Sequence, residues 1–294
     1  MLAGIILALV SALCFAAAGA LQHSVTRAVA RERGDSKSLL PVLGMLPQML
    51  SRRVWWAGFA CNVGGFVFHS MSLHLGSITI VQALLCVQLL FALPFATARA
   101  RTLPLGRDWT GTIAVCAGVA MLVAARGSVP QTQSRHHLVP AICLLGLLLI
   151  GILLVVARLL RATARTALIG IASGTGFSLT AVLIIVVADQ TVRLGPAAVF
   201  THWNVYGLAL SGLVAAILAQ DAFASGSFPA ALTAMTVADP IVSWLWGAIL
   251  FDQIPPETPA AVGTLALAGG LLAVGVGLLA HSPTMSRSAQ FAPR

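Results

Sequence analysis

Apolar residues run through this chain in long blocks, separated by short clusters of Arg, Lys, Pro and Gly. A helix crossing a bilayer needs about 20 consecutive apolar residues. Nine blocks meet that length, near 2–25, 54–74, 76–97, 108–125, 138–158, 166–188, 199–220, 228–251 and 258–281. A tenth, LLPVLGMLPQML (39–50), is shorter and carries two prolines. It reads as a reduced span, a re-entrant piece or an interfacial helix. The short alternating segments of a transmembrane barrel are missing, so the pattern predicts an all-α helical bundle.

Composition makes the setting firm. The chain is 59% hydrophobic and 9% charged, against about 25% charged residues in a soluble domain. An integral membrane protein follows. The first 22 residues lack the basic start of a signal peptide, their positive charges coming afterwards at Arg27, Arg31, Arg33 and Lys37. They read as an uncleaved first span.

The net charge of +9 changes the picture only through its placement. Lys and Arg lie between apolar blocks, as loops obeying the positive-inside bias require, and nucleic acid is not needed as a partner. If 39–50 does not cross, one side of the membrane holds 14 of the 17 Lys and Arg; if it crosses, the split is ten against seven. The sharper bias favours nine full spans in the cytoplasmic membrane, N-terminus outside and C-terminus inside. The five cysteines, Cys14, Cys61, Cys86, Cys116 and Cys143, each fall inside an apolar block without CxxC spacing. They read as small apolar residues.

An internal repeat is visible. GTIAVCAGVAML (111–122) aligns with GTLALAGGLLAV (263–274), and TIVQALL (79–85) can be set against TVADPIV (236–242). Five crossings separate the copies, so they run in opposite directions. This predicts two inverted repeats, 1–125 and 138–281, followed by a polar tail, 282–294, and inverted repeats characterise transporters with a site near midplane. Small residues also recur every fourth position: Gly4, Ala8, Ala12, Ala16 and Ala20; Gly170, Gly174 and Ser178; Gly207, Ser211, Ala215 and Ala219. Such stripes let helices approach closely in lipid.

Enzyme motifs are absent: no HExxH, no GxSxG, no glycine-rich phosphate loop. The eight carboxylates do not cluster, which argues against general acid–base or metal-assisted chemistry. Asp239 alone lies well inside a span. A charge there costs about 2.5–3.5 kcal/mol on insertion scales, so it should face the bundle interior. Pro240 follows it and removes a backbone donor from the carbonyl of Thr236. The pair predicts a helix break, with Asp239 in a capping position and Pro240 opening the second half. Its counterpart in the first half is Gln82, with Thr79 nearby. Asn62, His69 and His74 share the second span, His202 and Asn204 open the seventh, and Trp244 and Trp246 lie deep enough to line a cavity or fill space. A histidine in such a bundle is more often a packing residue than a ligand, although it can couple to protons. Gln220 and Asp221 read as interfacial caps. Trp55, Trp56, Trp109 and Trp203, at span starts, read as interfacial anchors.

Several stretches carry a family resemblance: WWAGF (55–59), GSITIVQALL (76–85), DWTGTIAVCAGVAML (108–122), QDAFASGSFPAALTAMTVADPIVSWLWGAILFDQ (220–253) and LAHSP (279–283). The chain resembles the drug/metabolite transporter (DMT/EamA-like) superfamily, and within it the bacterial branch related to NIPA-type magnesium transporters. That resemblance implies two inverted five-helix repeats, the second helix reduced where there are nine spans, and alternating access around a central cavity. By position it places Gln82, Asp239 and Pro240 on the cavity-lining helices and Asp252 at the end of the eighth span. Ala83 stands where proline is common. The expectation is a secondary transporter, not an enzyme, carrying a small metabolite, a drug-like cation or Mg2+, with Asp239 as the ligand if the cargo is Mg2+. Its substrate-binding residues would be Asp239, Pro240, Gln82, Thr79, Thr236, Trp244, His69 and Asn62. No cofactor is expected, the lipid bilayer is the standing partner, and a homodimer is left open. The alternative is a non-transporting membrane protein with an assembly or lipid-interaction role on the same fold.

Overall fold

The computed structural model describes residues 2–33, 41–75, 81, 84–100, 104–126, 136–160, 162–195, 197–226, 228–251 and 259–280. They form α1 (Leu2–Arg33), α2 (Pro41–Leu50), α3 (Arg53–Leu75), α4 (Gln88–Ala100), α5 (Gly106–Arg126), α6 (Val139–Leu159), α7 (Ala162–Leu194), α8 (Trp203–Ser225), α9 (Phe228–Phe251) and α10 (Pro259–Ala280). No strand occurs among the described residues. Six helices there (α1 and α6–α10) are long and apolar enough to cross a membrane. The protein is an all-α, multi-pass membrane protein.

Helix α2 has ten residues, about 15 Å at 1.5 Å per residue. That is half the hydrocarbon thickness of about 30 Å, so α2 cannot cross by itself. It packs on α1 and α8 through Val42, Met45 and Met49, which meet Val25, Val29 and Ala224. Helices α1 and α7 run longer than their apolar blocks, over 32 and 33 residues.

Small residues decide which helices pair. Gly4, Ala8, Ala12 and Ala16 are buried, and α1 runs antiparallel to α3, with Ser11 Oγ donating to the Gly65 carbonyl (2.8 Å) and Ser72 Oγ to the Gly4 carbonyl (2.7 Å). Helix α7 packs parallel to α9. A Cβ on Gly174 would stand 2.8 Å from the Met235 carbonyl oxygen and from Ala238 Cβ, a separation that only glycine permits. On its other side α7 meets α8 antiparallel, with a hydrogen bond between Thr180 Oγ1 and Ser211 Oγ (3.0 Å).

The two segments that align in sequence, within α5 and α10, pack against each other antiparallel: Gly111 faces Leu278 and Leu279, and Gly118 faces Ala268 and Leu272. The aligned glycines play unequal parts, because Gly263 and Gly270 face open space.

The structure corrects three expectations. The block 76–97 is not one helix. Residues 76–80, 82 and 83 lie outside the described residues, and α4 starts only at Gln88 after a turn at Cys86–Val87. The Cys86 carbonyl leaves the helical ladder, accepting from Leu89 N–H in a tight turn (3.1 Å) and from Cys116 Sγ on α5 (3.0 Å). That second partner stabilises the break. Conversely, no break forms at Asp239–Pro240: α9 continues from Phe228 to Phe251 with Pro240 inside it. Helices packed around a proline hold a membrane helix together despite the missing donor, and here Gly170 and Gly174 seat the α7 backbone directly on α9. Thirdly, Gln220 and Asp221 are not interfacial caps. Helix α8 extends four residues beyond Asp221 to Ser225, and the two side chains are 8% and 2% exposed.

Candidate functional site

Asp239 sits about midway along α9, against Gly174 of α7 and near the turn that precedes α4. Its surroundings are sparse. Ser243 Oγ, one turn on, donates to Asp239 Oδ1 at 3.3 Å, and Cys86 lies within electrostatic reach. No Arg, Lys or His pairs with it among the described residues. One turn earlier, Thr236 Oγ1 accepts a long bond from Gln88 Nε2 of α4 (3.4 Å). Along this stretch α9 thus carries a carboxylate and two hydroxyls, with the Gln88 amide beside Thr236 and the Cys86 thiol within reach of the carboxylate. The bonds at 3.3 and 3.4 Å are long and leave the carboxylate and the amide with capacity to spare.

Below the aspartate the packing is tight. A Cβ on Gly174 would come 3.1 Å from the Asp239 nitrogen, so α7 fixes the backbone that carries the carboxylate. Toward the far end of α9, Trp246 is buried and donates Nε1–H to Ser178 Oγ of α7 (3.1 Å). It fills space between the two helices. Trp244, one turn beyond Pro240, is half-buried.

The expected residues divide accordingly. Asp239, Pro240 and Thr236 share this stretch of α9, with Trp244 one turn further on. Asn62 is exposed on α3, and His69, half-buried on the same helix, has its Nδ1 buried with no partner among the described residues. Neither is brought to Asp239 by a contact seen here. Thr79, Gln82 and Asp252 lie outside the described residues. Ser243 and Cys86, beside Asp239, and Gln88, beside Thr236, were missed. Ser243 was legible, since its i+4 spacing from Asp239 puts both on one helix face. Gln88, the second glutamine of VQALLCVQLL, could have been weighed beside Gln82. The Cys86–Cys116 junction depends on the turn, which no local signal announces.

No family model matches the chain. It is similar to an uncharacterized protein of Corynebacterium glutamicum, 27% identical over 259 residues, which cover 86% of each chain. No solved structure matches.

Proposed function

We propose that the protein is a secondary transporter of the cytoplasmic membrane, moving a small metabolite, a drug-like cation or Mg2+ by alternating access around Asp239. The observation that carries this reading is the state of that carboxylate: at mid-helix depth, partly buried, held by one 3.3 Å hydrogen bond and faced by no cationic side chain among the described residues. A buried charge kept for structure is normally paired or fully hydrogen-bonded. One left with spare capacity inside a membrane bundle suits a site that a passing solute completes. The inverted-repeat reading, with the N-terminus outside and the C-terminus inside, belongs to the same proposal. So does the resemblance to drug/metabolite transporters and their NIPA-type branch, which the sequence motifs support. Mg2+ prefers six oxygen ligands and usually keeps several waters, so Asp239, Thr236 and Ser243 would serve it only as a partly hydrated ion.

The test is flux. Purified protein in proteoliposomes should move at least one member of a panel of organic cations, neutral metabolites and Mg2+, and Asp239→Asn should reduce that flux to the protein-free background. A folded Asp239→Asn variant with undiminished flux removes the site. Absence of flux for every class favours the non-transporting alternative.

A further inference from the structure

The end of the bundle that collects Arg27, Arg31, Arg33, Arg52, Arg53, Arg107, Arg158 and Arg165 also holds a buried polar network spanning four helices. Gln220 of α8 is its centre. Its Oε1 accepts from Thr26 Oγ1 of α1 (2.8 Å), and its Nε2 donates to Gln22 Oε1 of α1 (2.8 Å). Arg27 Nη1 donates to the Ala224 carbonyl (2.5 Å), and His23 Nε2 to the Gly226 carbonyl (3.1 Å). Ser225 Oγ donates to Thr166 Oγ1 of α7 (3.1 Å). Asp221 accepts the backbone N–H of Val42, in the first turn of α2, with the charges of Arg165 and Arg158 close by. A carboxylate at that position satisfies an orphan donor and favours the helix dipole.

Along α7, Thr166 lies eight residues from Gly174, the residue beneath Asp239. That is about 12 Å at 1.5 Å per residue. The network therefore stands between Asp239 and the basic end, and α2, too short to span, is fastened across it. Buried polar atoms with no partner among the described residues occur at both ends, Trp55 Nε1 and Asp108 Oδ1 at the basic end and Asn204 Oδ1, Gln190 Oε1 and His69 Nδ1 at the opposite one. Buried polar atoms without partners raise the free energy of the arrangement that holds them. A second arrangement that gives such atoms partners offsets part of the cost of parting the network, as a two-state element requires.

The geometry points to a gate: the Gln22–Thr26–Gln220 cluster and the Asp221 latch on α2 close the basic end over the Asp239 site, and their parting opens it. This rests on the transport reading above and adds to it the residues that control access. Labelling tests it without requiring a known cargo. Ser243→Cys serves as the reporter beside Asp239, in a full-length chain whose five native cysteines are replaced by alanine. A small membrane-impermeant methanethiosulfonate is applied from either face of reconstituted vesicles.

Gln220→Ala and Asp221→Asn should each raise the labelling rate from the basic face at least fivefold. Thr26→Cys joined to Gln220→Cys by a short, reducible bifunctional thiol reagent should suppress labelling from that face, and reductant should restore it. The joined pair keeps the test decisive if a point variant does not fold. A reporter reached from the basic face at a rate that neither the point variants nor the joined pair alter overturns the gate and leaves the transport reading standing. A reporter reached from neither face in any variant overturns both.

Discussion

Asp221 and Asp239 lie on consecutive helices, eighteen residues apart, and both are acidic residues inside an apolar bundle. Their surroundings are opposite. Asp221 is 2% exposed, accepts the Val42 N–H and has Arg165 and Arg158 within reach of its charge. Asp239 is partly buried, meets one hydroxyl at 3.3 Å and has no cationic neighbour among the described residues. The first is completed by the protein, the second is not. Burial alone therefore does not mark a site in this membrane bundle; unspent hydrogen-bonding and charge capacity does, and the two carboxylates should answer mutation differently.

The largest effect belongs to Asp239. Asp239→Asn should abolish flux in proteoliposomes while leaving the apparent melting temperature unchanged or raised, because neutralising an unpaired carboxylate removes a desolvation cost. A variant that loses stability along with flux would place Asp239 in the same class as Asp221. Asp221→Ala should behave in the reverse sense. It leaves the Val42 N–H without its acceptor and Arg165 without its counter-charge, at a cost of about 1–3 kcal/mol. Thermal unfolding in detergent checks this, and an unchanged melting temperature would erase the contrast. Gln220→Leu comes next. Thr26 and Gln22 each lose a buried 2.8 Å partner, and about 1–3 kcal/mol of stability should go with the two bonds.

How far the sequence displayed this contrast depends on what carried each part. The helices were legible because lipid demands long apolar runs, and the stripe at Gly170 and Gly174 marked a face of close approach without saying that α9 would fill it. Asp239 was legible because a carboxylate inside such a run is rare. Its environment was misjudged at the backbone: Pro240 reads locally as a break, yet tertiary packing carries α9 through it, and the interruption falls at Cys86–Val87, where the α5 thiol supplies the missing partner. Gln220 and Asp221 read as interfacial because the apolar block 199–220 ends there. Their role depends on Gln22, Thr26 and Val42, residues nearly two hundred positions away, and no local pattern encodes a contact at that separation.

The smallest predicted effect is also the most discriminating about Asp239. Ser243→Ala removes the hydroxyl that donates to the carboxylate at 3.3 Å. That bond is long, and a good neutral bond contributes only about 0.5–1.5 kcal/mol net. Stability should therefore change by less than about 0.5 kcal/mol. Binding of a cargo that the carboxylate holds directly should weaken by no more than about fivefold, which is roughly 1 kcal/mol. Asp239→Asn, by contrast, should remove binding altogether. If Ser243→Ala proves as damaging as Asp239→Asn, the serine is itself a ligand, and the site is a hydroxyl–carboxylate pair presented on one face of α9. If Ser243→Ala has no effect on binding, the carboxylate acts alone, as its sparse surroundings suggest. Titrating the two variants with the same cargo, by calorimetry or thermal shift, separates these arrangements.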